Sequence, residues 1–141
     1  MVVSTLRNVQ RTREFAWNLA TRPLAEQMNQ TCAMVPPEVD EFALAGLTPA
    51  PSRVIAVPRV AESPVSFECR VTQVIQLQGA DGTKVETWLT LGEVVAVHIS
   101  QRLLKDGVYD TAAAEPILRA GGPADYFGID AAQRFKMRRP H

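Results

Sequence analysis

The feature that most constrains this chain is a long alternation of apolar and polar residues over 65–77. A repeat of two places all the apolar side chains on one face, which predicts a single long β-strand. Gln73 interrupts that apolar face. The apolar positions are Val65, Phe67, Cys69, Val71, Ile75 and Leu77.

A turn and a second long strand follow. Gly79-Ala80-Asp81-Gly82 predicts the turn, and residues 83–100 predict the strand, so the two strands should form a long hairpin. Residues 89–99 are apolar on both faces. This pattern is typical of a strand covered on both sides, by a barrel interior and by something packed outside.

Short helices are predicted before the hairpin. Ser4 begins one that reaches about Arg13, and Thr21 is the predicted N-cap of a second. Asp40 is the predicted N-cap of a very short third helix, and Gly46 supplies its left-handed C-terminal residue. Residues 14–19 predict a strand with Phe15 and Trp17 on one face, and residues 48–64 predict loop or edge strand because proline cannot sit in a central ladder.

Composition sets the class of protein. The 141 residues are 46% hydrophobic and 21% charged, which predicts one globular domain over the whole chain. Fifteen basic and fifteen acidic residues cancel, so nothing favours nucleic acid or an anionic membrane as the partner. With no apolar run of membrane-spanning length and no signal peptide pattern, we expect a cytoplasmic protein without membrane contact.

The cysteines and histidines are too few for a metal site. Cys32 and Cys69 have no CxxC partner, which fits a reduced protein, and two histidines argue against a histidine-based metal cluster. Cys32 falls at helical spacing with Leu24 and Met28, which predicts a buried helix face. A Cys32–His98 nucleophile pair is therefore disfavoured.

A carboxylate and an imidazole stand in the apolar strand at 92–98. Glu93 and His98 are five residues apart and should point to opposite faces, so they are not predicted to be a mutual acid–base pair. A buried Glu93 would need a partner such as Arg70 or Arg119. For His98 two interpretations stay open: a hydrogen-bonded histidine at the strand end, or a ligand contact.

Two further features suit an anionic ligand. Arg119 precedes a glycine pair that includes Gly122, and Tyr126 follows, a set that suits a planar or phosphorylated ligand. A plain surface residue or a salt-bridge residue is the alternative for Arg119. Ser4 and Thr5 combine hydroxyl groups with a helix N-terminus, which suits phosphate, although ordinary N-capping explains them too. No P-loop or GxGxxG pattern supports a Rossmann nucleotide site.

Short segments along nearly the whole chain form a further pattern through their order and spacing. They lie at 5–9, 14–21, 24–29, 39–48, 58–64, 67–69, 92–98 (Gly-Glu-Val-Val-Ala-Val-His), 119–122 (Arg-Ala-Gly-Gly) with Tyr126, and 139–140. In this combination the chain resembles the flavin reductase-like family, whose domain is the FMN-binding split barrel. The resemblance implies a mainly β, α+β fold with short helices, a split β-barrel of Greek-key type. Because the family pattern begins further upstream, that barrel is expected to be incomplete at the N-terminus of this chain.

The resemblance also implies a function. It implies a homodimer that binds FMN near the subunit interface. The implied reaction is the reduction of flavin with NAD(P)H as a transient co-substrate, or a related flavin-linked electron transfer. A partner monooxygenase that uses the reduced flavin is also implied. The flavin supplies the chemistry and the protein supplies position and electrostatics. No catalytic residue is assigned; the expected cofactor-binding residues are Ser4, Thr5, His98, Arg119, Gly122 and Tyr126.

Other hypotheses stay open. Val3-Ser4-Thr5 stands where the family has Lys-Asp-Thr, so a cation expected near the phosphate is missing. A non-catalytic dimeric split-barrel remnant that has lost flavin binding is the second hypothesis, since an incomplete barrel leaves sheet edges that favour pairing. A carrier of haem or another flavin-sized ligand is the third.

Overall fold

The structure, a computed structural model, describes residues 4–33, 35–36 and 38–140. Most of its regular structure is β-sheet, with three short α-helices before the long hairpin. In chain order the elements are α1 (Ser4–Thr12), β1 (Glu14–Asn18), α2 (Ala25–Gln30), α3 (Glu41–Ala45), β2 (Pro49–Ala50), β3 (Arg59–Val60), β4 (Val65–Gln78), β5 (Lys84–Ile99), β6 (Leu104–Lys105), β7 (Val108–Tyr109), β8 (Leu118–Arg119) and β9 (Tyr126–Phe127).

The predicted long hairpin is the centre of the fold. β4 pairs with β5 on one side and with β1 on the other, which gives a three-stranded antiparallel sheet in the order β1-β4-β5. The register shifts between Glu68 and Cys69, between Val71 and Gln73, and again before Gln78. The interruption of the pattern at Gln73 therefore coincides with a real irregularity in the ladder.

The second helix departs from the prediction. Thr21 does not cap it; Thr21 is buried and forms a backbone bridge with Pro116, and the chain first makes a 3-10 turn over Arg22–Leu24. The α-helix itself ends at Gln30, and Cys32 lies beyond its end and is exposed. The predicted buried position of Cys32 is wrong because the helix is too short to carry it onto that face.

The third helix is confirmed with both of its caps. Asp40 Oδ1 accepts a hydrogen bond from the Phe42 N–H at 2.9 Å, and Gly46 closes the helix with φ of 66°. The prolines of 48–64 likewise give the expected edge structure, since β2 and β3 are two-residue strands that pair with each other in a separate two-stranded sheet.

The buried core lies at the end of the hairpin next to His98. Val65, Leu103 and Ala114 form it, and Phe67 and Tyr109 pack against it. By contrast, the apolar side chains of β5 are not covered on both faces as predicted: within the described residues Val94 is 47% and Val97 is 52% exposed.

Glu93 and Trp17 are both solvent-accessible. Glu93 is exposed opposite Arg70 in the ladder, so it is solvated and needs no buried partner. Trp17 stacks on the Phe67 ring, with 4.8 Å between the centroids, but it remains 42% exposed. Both residues lie on a sheet that is solvent-accessible in this single chain.

Candidate functional site

Glu68, on β4, is a carboxylate with no exposed surface. Its Oε1 accepts the Arg53 N–H at 2.7 Å, and its Oε2 accepts the Val54 N–H at 2.7 Å and the Ile55 N–H at 3.1 Å. Three consecutive backbone donors therefore converge on one side chain and hold the 53–55 loop against the sheet. Such a buried carboxylate is tolerated because its oxygens are fully hydrogen-bonded.

The ionisation of Glu68 follows from these contacts. Burial alone raises the pKa of the carboxyl, since it removes water from the charged form. The hydrogen bonds from Arg53, His98, Val54 and Ile55 act in the opposite direction and together hold the pKa of Glu68 at about 2. Glu68 is thus a fixed negative charge at any physiological pH.

His98, near the end of β5, is the fourth donor to Glu68. Its Nε2 lies 2.6 Å from Glu68 Oε1, and its side chain is 22% exposed. The interpretation of His98 as a hydrogen-bonded histidine at the strand end is confirmed. Because Nε2 is occupied, Nδ1 is the remaining ring nitrogen through which His98 can contact a ligand.

Glu68 is the residue that sequence reasoning missed. Glu68 lies opposite Ala96, and Ser66 lies opposite His98, so Glu68 and His98 are diagonal neighbours on one sheet face. The signal was present in the polar positions of the alternating strand. Pairing Glu68 with His98 requires the register of β4 against β5, and the irregularities in the ladder shift that register.

Arg119 and Tyr126 are brought together by the β8–β9 hairpin, where they occupy directly paired positions. The Arg119 guanidinium lies over the Tyr126 ring, 5.7 Å from its centroid, and Nη2 donates to the Pro123 carbonyl at 2.8 Å. Gly122 lies in the turn of this hairpin, where a side chain would clash with the Asp125 carboxylate. The hairpin thus fixes a cation on an aromatic face.

A cleft of about 620 Å³ lies beside this hairpin. Its volume is in the range of small-molecule sites. The lining residues come from α2 and the turn before it and from the segment around β8 and β9, and they include two arginines and two aromatic residues. They are Arg22, Ala25, Glu26, Met28, Asn29, Ile117, Arg119, Pro123, Ala124, Tyr126, Phe127 and Gly128.

The six residues expected at the cofactor site are therefore not all in one place. Arg119 and Tyr126 line the cleft, Gly122 belongs to the same hairpin, and His98 is held by Glu68 on the sheet. Ser4 and Thr5 lie at the start of α1 and are not among the residues that line the cleft. Their roles toward a cofactor stay predictions.

Residues 4–33, 35–36 and 38–140 contain neither a metal-ion cluster nor a membrane-spanning helix. In that part of the chain, no three acidic, cysteine or histidine side chains gather into a group fit for a metal ion. No helix there has the length and apolar character required to cross a bilayer.

The sheet, the short helices and the small hairpins define an α+β split barrel, and solved structures share this fold. The chain is 30% identical to nitrilotriacetate monooxygenase component B from Bacillus cereus, with a TM-score of 0.85 over 96% of this chain and 65% of that one. The fold is also shared with a putative flavin reductase with a split barrel domain from Shewanella frigidimarina, at 24% identity and a TM-score of 0.79, over 95% of this chain and 65% of that one.

The sequence comparison identifies the family. The model of the flavin reductase like domain matches residues 3–117, so the chain belongs to that family. An uncharacterized protein from Halalkalibacterium halodurans is 37% identical over 118 residues, which are 84% of this chain and 56% of that protein. The chain therefore spans about half the length of the curated relatives it matches.

Proposed function

We propose that this chain is part of an FMN-binding oxidoreductase that reduces flavin with NAD(P)H or passes electrons through a bound flavin. The observation that carries the proposal is the match to the flavin reductase like domain over residues 3–117. The missing GxGxxG pattern is consistent with it, because a nicotinamide that stacks briefly on flavin needs no Rossmann domain.

The residues of the cleft fit such a cofactor. A flavin mononucleotide is a flat ring system joined to a phosphate, and in the cleft the Arg119 guanidinium lies over the Tyr126 ring. Arg119 and Tyr126 are the residues we expect to contact it, with Gly122 keeping the hairpin turn free of a side chain. When bound, FMN would supply the electron-transfer chemistry itself.

His98 and Glu68 have a positioning role in this proposal. Glu68 holds the imidazole through Nε2, so the ring is oriented before any ligand arrives. Its remaining nitrogen, Nδ1, is then available to a flavin edge. Thr5, exposed on α1, together with Ser4, is proposed for the phosphate side of the same cofactor.

The partners follow from the same likeness. The similarity to nitrilotriacetate monooxygenase component B supports a role in which reduced flavin is delivered to a partner monooxygenase. The exposed apolar side chains of β5 support a homodimer.

The test is a flavin titration of the purified chain combined with an NAD(P)H oxidation assay with added FMN. We expect flavin absorbance to remain with the protein and nicotinamide oxidation to depend on FMN. His98→Ala should weaken FMN binding or turnover, whereas unchanged values would leave His98 with a structural role alone. A chain that neither binds FMN nor oxidises NAD(P)H would refute the proposal.

A second candidate is a dimeric, non-catalytic split barrel. The same exposed β5 surface favours it, because that surface supports self-association whether or not flavin binds. Light scattering during the flavin titration separates the two: a dimer with no flavin affinity supports this candidate, and a dimer that binds FMN supports the enzyme.

A further inference from the structure

The C-terminal arm, residues 134–140, follows a 3-10 turn at Ala131–Gln133 and belongs to no helix or strand. Its first residue, Arg134, has extended backbone, with φ of −68° and ψ of 128°. Phe135 is 78% and Met137 is 86% exposed, so the chain that carries the arm covers neither side chain. Two neighbouring large apolar side chains held in water in this way favour contact with an apolar surface on another molecule.

The arm is also strongly basic. Residues 131–140 contain four basic side chains and no acidic one. Because the whole chain has 15 basic and 15 acidic residues, the rest of it has an excess of four acidic residues. Opposite net charges attract the arm of one copy to the body of another. Charge complementarity therefore favours a second copy of the chain as the partner.

One face of β5 carries a pattern of the same kind. Leu89, Leu91 and Glu93 occupy alternate positions of this strand, so their side chains lie on one face of the sheet. All three side chains are exposed. Arg70 lies opposite Glu93 in the ladder, but no ion pair joins the two among the described residues. The face thus presents two apolar side chains followed by a carboxylate.

The arm repeats this order with the opposite charge. Phe135, Met137 and Arg139 also stand at alternate positions, which lie on one side of an extended segment. Pro140 favours extended backbone at Arg139, the residue before it. Each of the two patterns spans about 13 Å when extended. An arm laid parallel to β5 would therefore place apolar side chains on apolar side chains and the guanidinium at the carboxylate.

We propose that the C-terminal arm packs on residues 89–93 of β5 in a second copy of the chain, with Arg139 paired to Glu93 of the partner subunit. This inference rests on the homodimer of the proposed function and deepens it, since it makes the arm a part of the interface. In a two-fold dimer the contact occurs twice, once for each arm.

Sedimentation velocity of the full chain over a range of concentrations measures the dimer dissociation constant and tests the proposal. Phe135→Ala removes apolar surface from both contacts and should raise that constant about 100-fold. Arg139→Glu places like charges together and should raise it about tenfold, as should Glu93→Arg. The double variant reverses the pair and should return the constant to within about threefold of wild type.

Two control variants match these changes. Lys136→Glu alters the net charge as much as Arg139→Glu does, but on the other side of the extended arm, and should stay within about twofold of wild type. Val108→Ala removes apolar surface from an exposed valine of β7, outside both segments, and should leave the dimer unchanged. Circular dichroism checks folding, which we expect to persist because the side chains of the arm are exposed.

Unchanged dissociation constants in Phe135→Ala and Arg139→Glu would overturn the proposal, leave the homodimer intact and assign the arm to another partner. A double variant as weak as Arg139→Glu, or an equal loss in Lys136→Glu, would overturn the pairing with Glu93. A monomeric wild type would overturn the arm contact and the homodimer together, whereas the flavin titration tests cofactor binding separately.

Discussion

Glu68 stays ionised although it has no solvent contact, because three backbone N–H groups and the His98 ring converge on its two oxygens. The group therefore joins three parts of the molecule: the 53–55 loop, β4 and the end of β5. A residue of this kind orients His98 without touching a ligand itself.

The low pKa of Glu68 predicts acid sensitivity. Its folded value, about 2, lies below the ordinary value of 4.5, so the unfolded chain takes up the proton first as the pH falls. The stability that Glu68 contributes is complete above about pH 5 and is lost between about pH 5 and pH 2. Urea unfolding at a series of pH values should show this loss.

Glu68→Gln supplies the comparison. The amide group of glutamine would place an N–H donor where one carboxylate oxygen now accepts hydrogen bonds. The N–H groups that point at that oxygen would lose their acceptor, so we expect the melting temperature at pH 7 to fall by several degrees. The variant should also depend less on pH between 5 and 2. Glu86→Gln, at an exposed position of β5, is the control and should follow wild type. An unchanged acid profile in Glu68→Gln would show that Glu68 is not the group responsible.

Local signals explain what could be predicted at the level of elements. The alternation over 65–77, the glycine turn and the Asp40 and Gly46 caps act within a few residues of the chain, and each gave the correct element. Thr21 failed as a cap because its backbone is used in a bridge to Pro116, a contact nearly a hundred residues away in the chain.

The candidate site could be predicted only in part for the same reason. Arg119 and Tyr126 are close in sequence, so their pairing in one hairpin follows from a short turn. Arg22 and Glu68 reach their partners through tertiary pairing and through a ladder whose register shifts, and neither can be derived from periodicity.

Gly92 offers a test of hairpin packing. A Cβ built there would lie 2.6 Å from Phe15 Cε1 and 3.2 Å from the Arg70 carbonyl oxygen, so the ring on β1 must move to admit it. We expect Gly92→Ala to destabilise the chain by about 1–3 kcal/mol, the usual cost of overpacking. Urea denaturation measures the change.

Gly128→Ala is the matched control, since a Cβ at Gly128 meets nothing within 4 Å. Its effect should stay within about 0.5 kcal/mol. Adding Phe15→Leu to Gly92→Ala should recover part of the lost stability by vacating the space. Equal stability of Gly92→Ala and Gly128→Ala would contradict the close approach of the Phe15 ring to Gly92.

At the scale of the whole molecule, the exposed apolar surface of β5 is the feature that the single chain leaves unexplained. Leu89, Leu91, Val94 and Val97 are 40–52% exposed on one strand. Large apolar side chains exposed together on a protein surface usually mark an interaction surface. A second copy of the chain is the partner that the proposed dimer requires.

Val97→Asp tests this surface. In a two-fold dimer the change occurs in both subunits, and each loses about 2 kcal/mol of apolar burial, so the dimer dissociation constant should rise about 1000-fold. We expect wild type to sediment as a dimer and Val97→Asp as a monomer at the same concentration. Val39→Asp places the same charge at an exposed valine outside β5 and should leave the dimer intact. If both variants remained dimeric, the interface would lie elsewhere, and the exposed strand would need another partner. If wild type itself were monomeric, the homodimer would be removed from the proposed function.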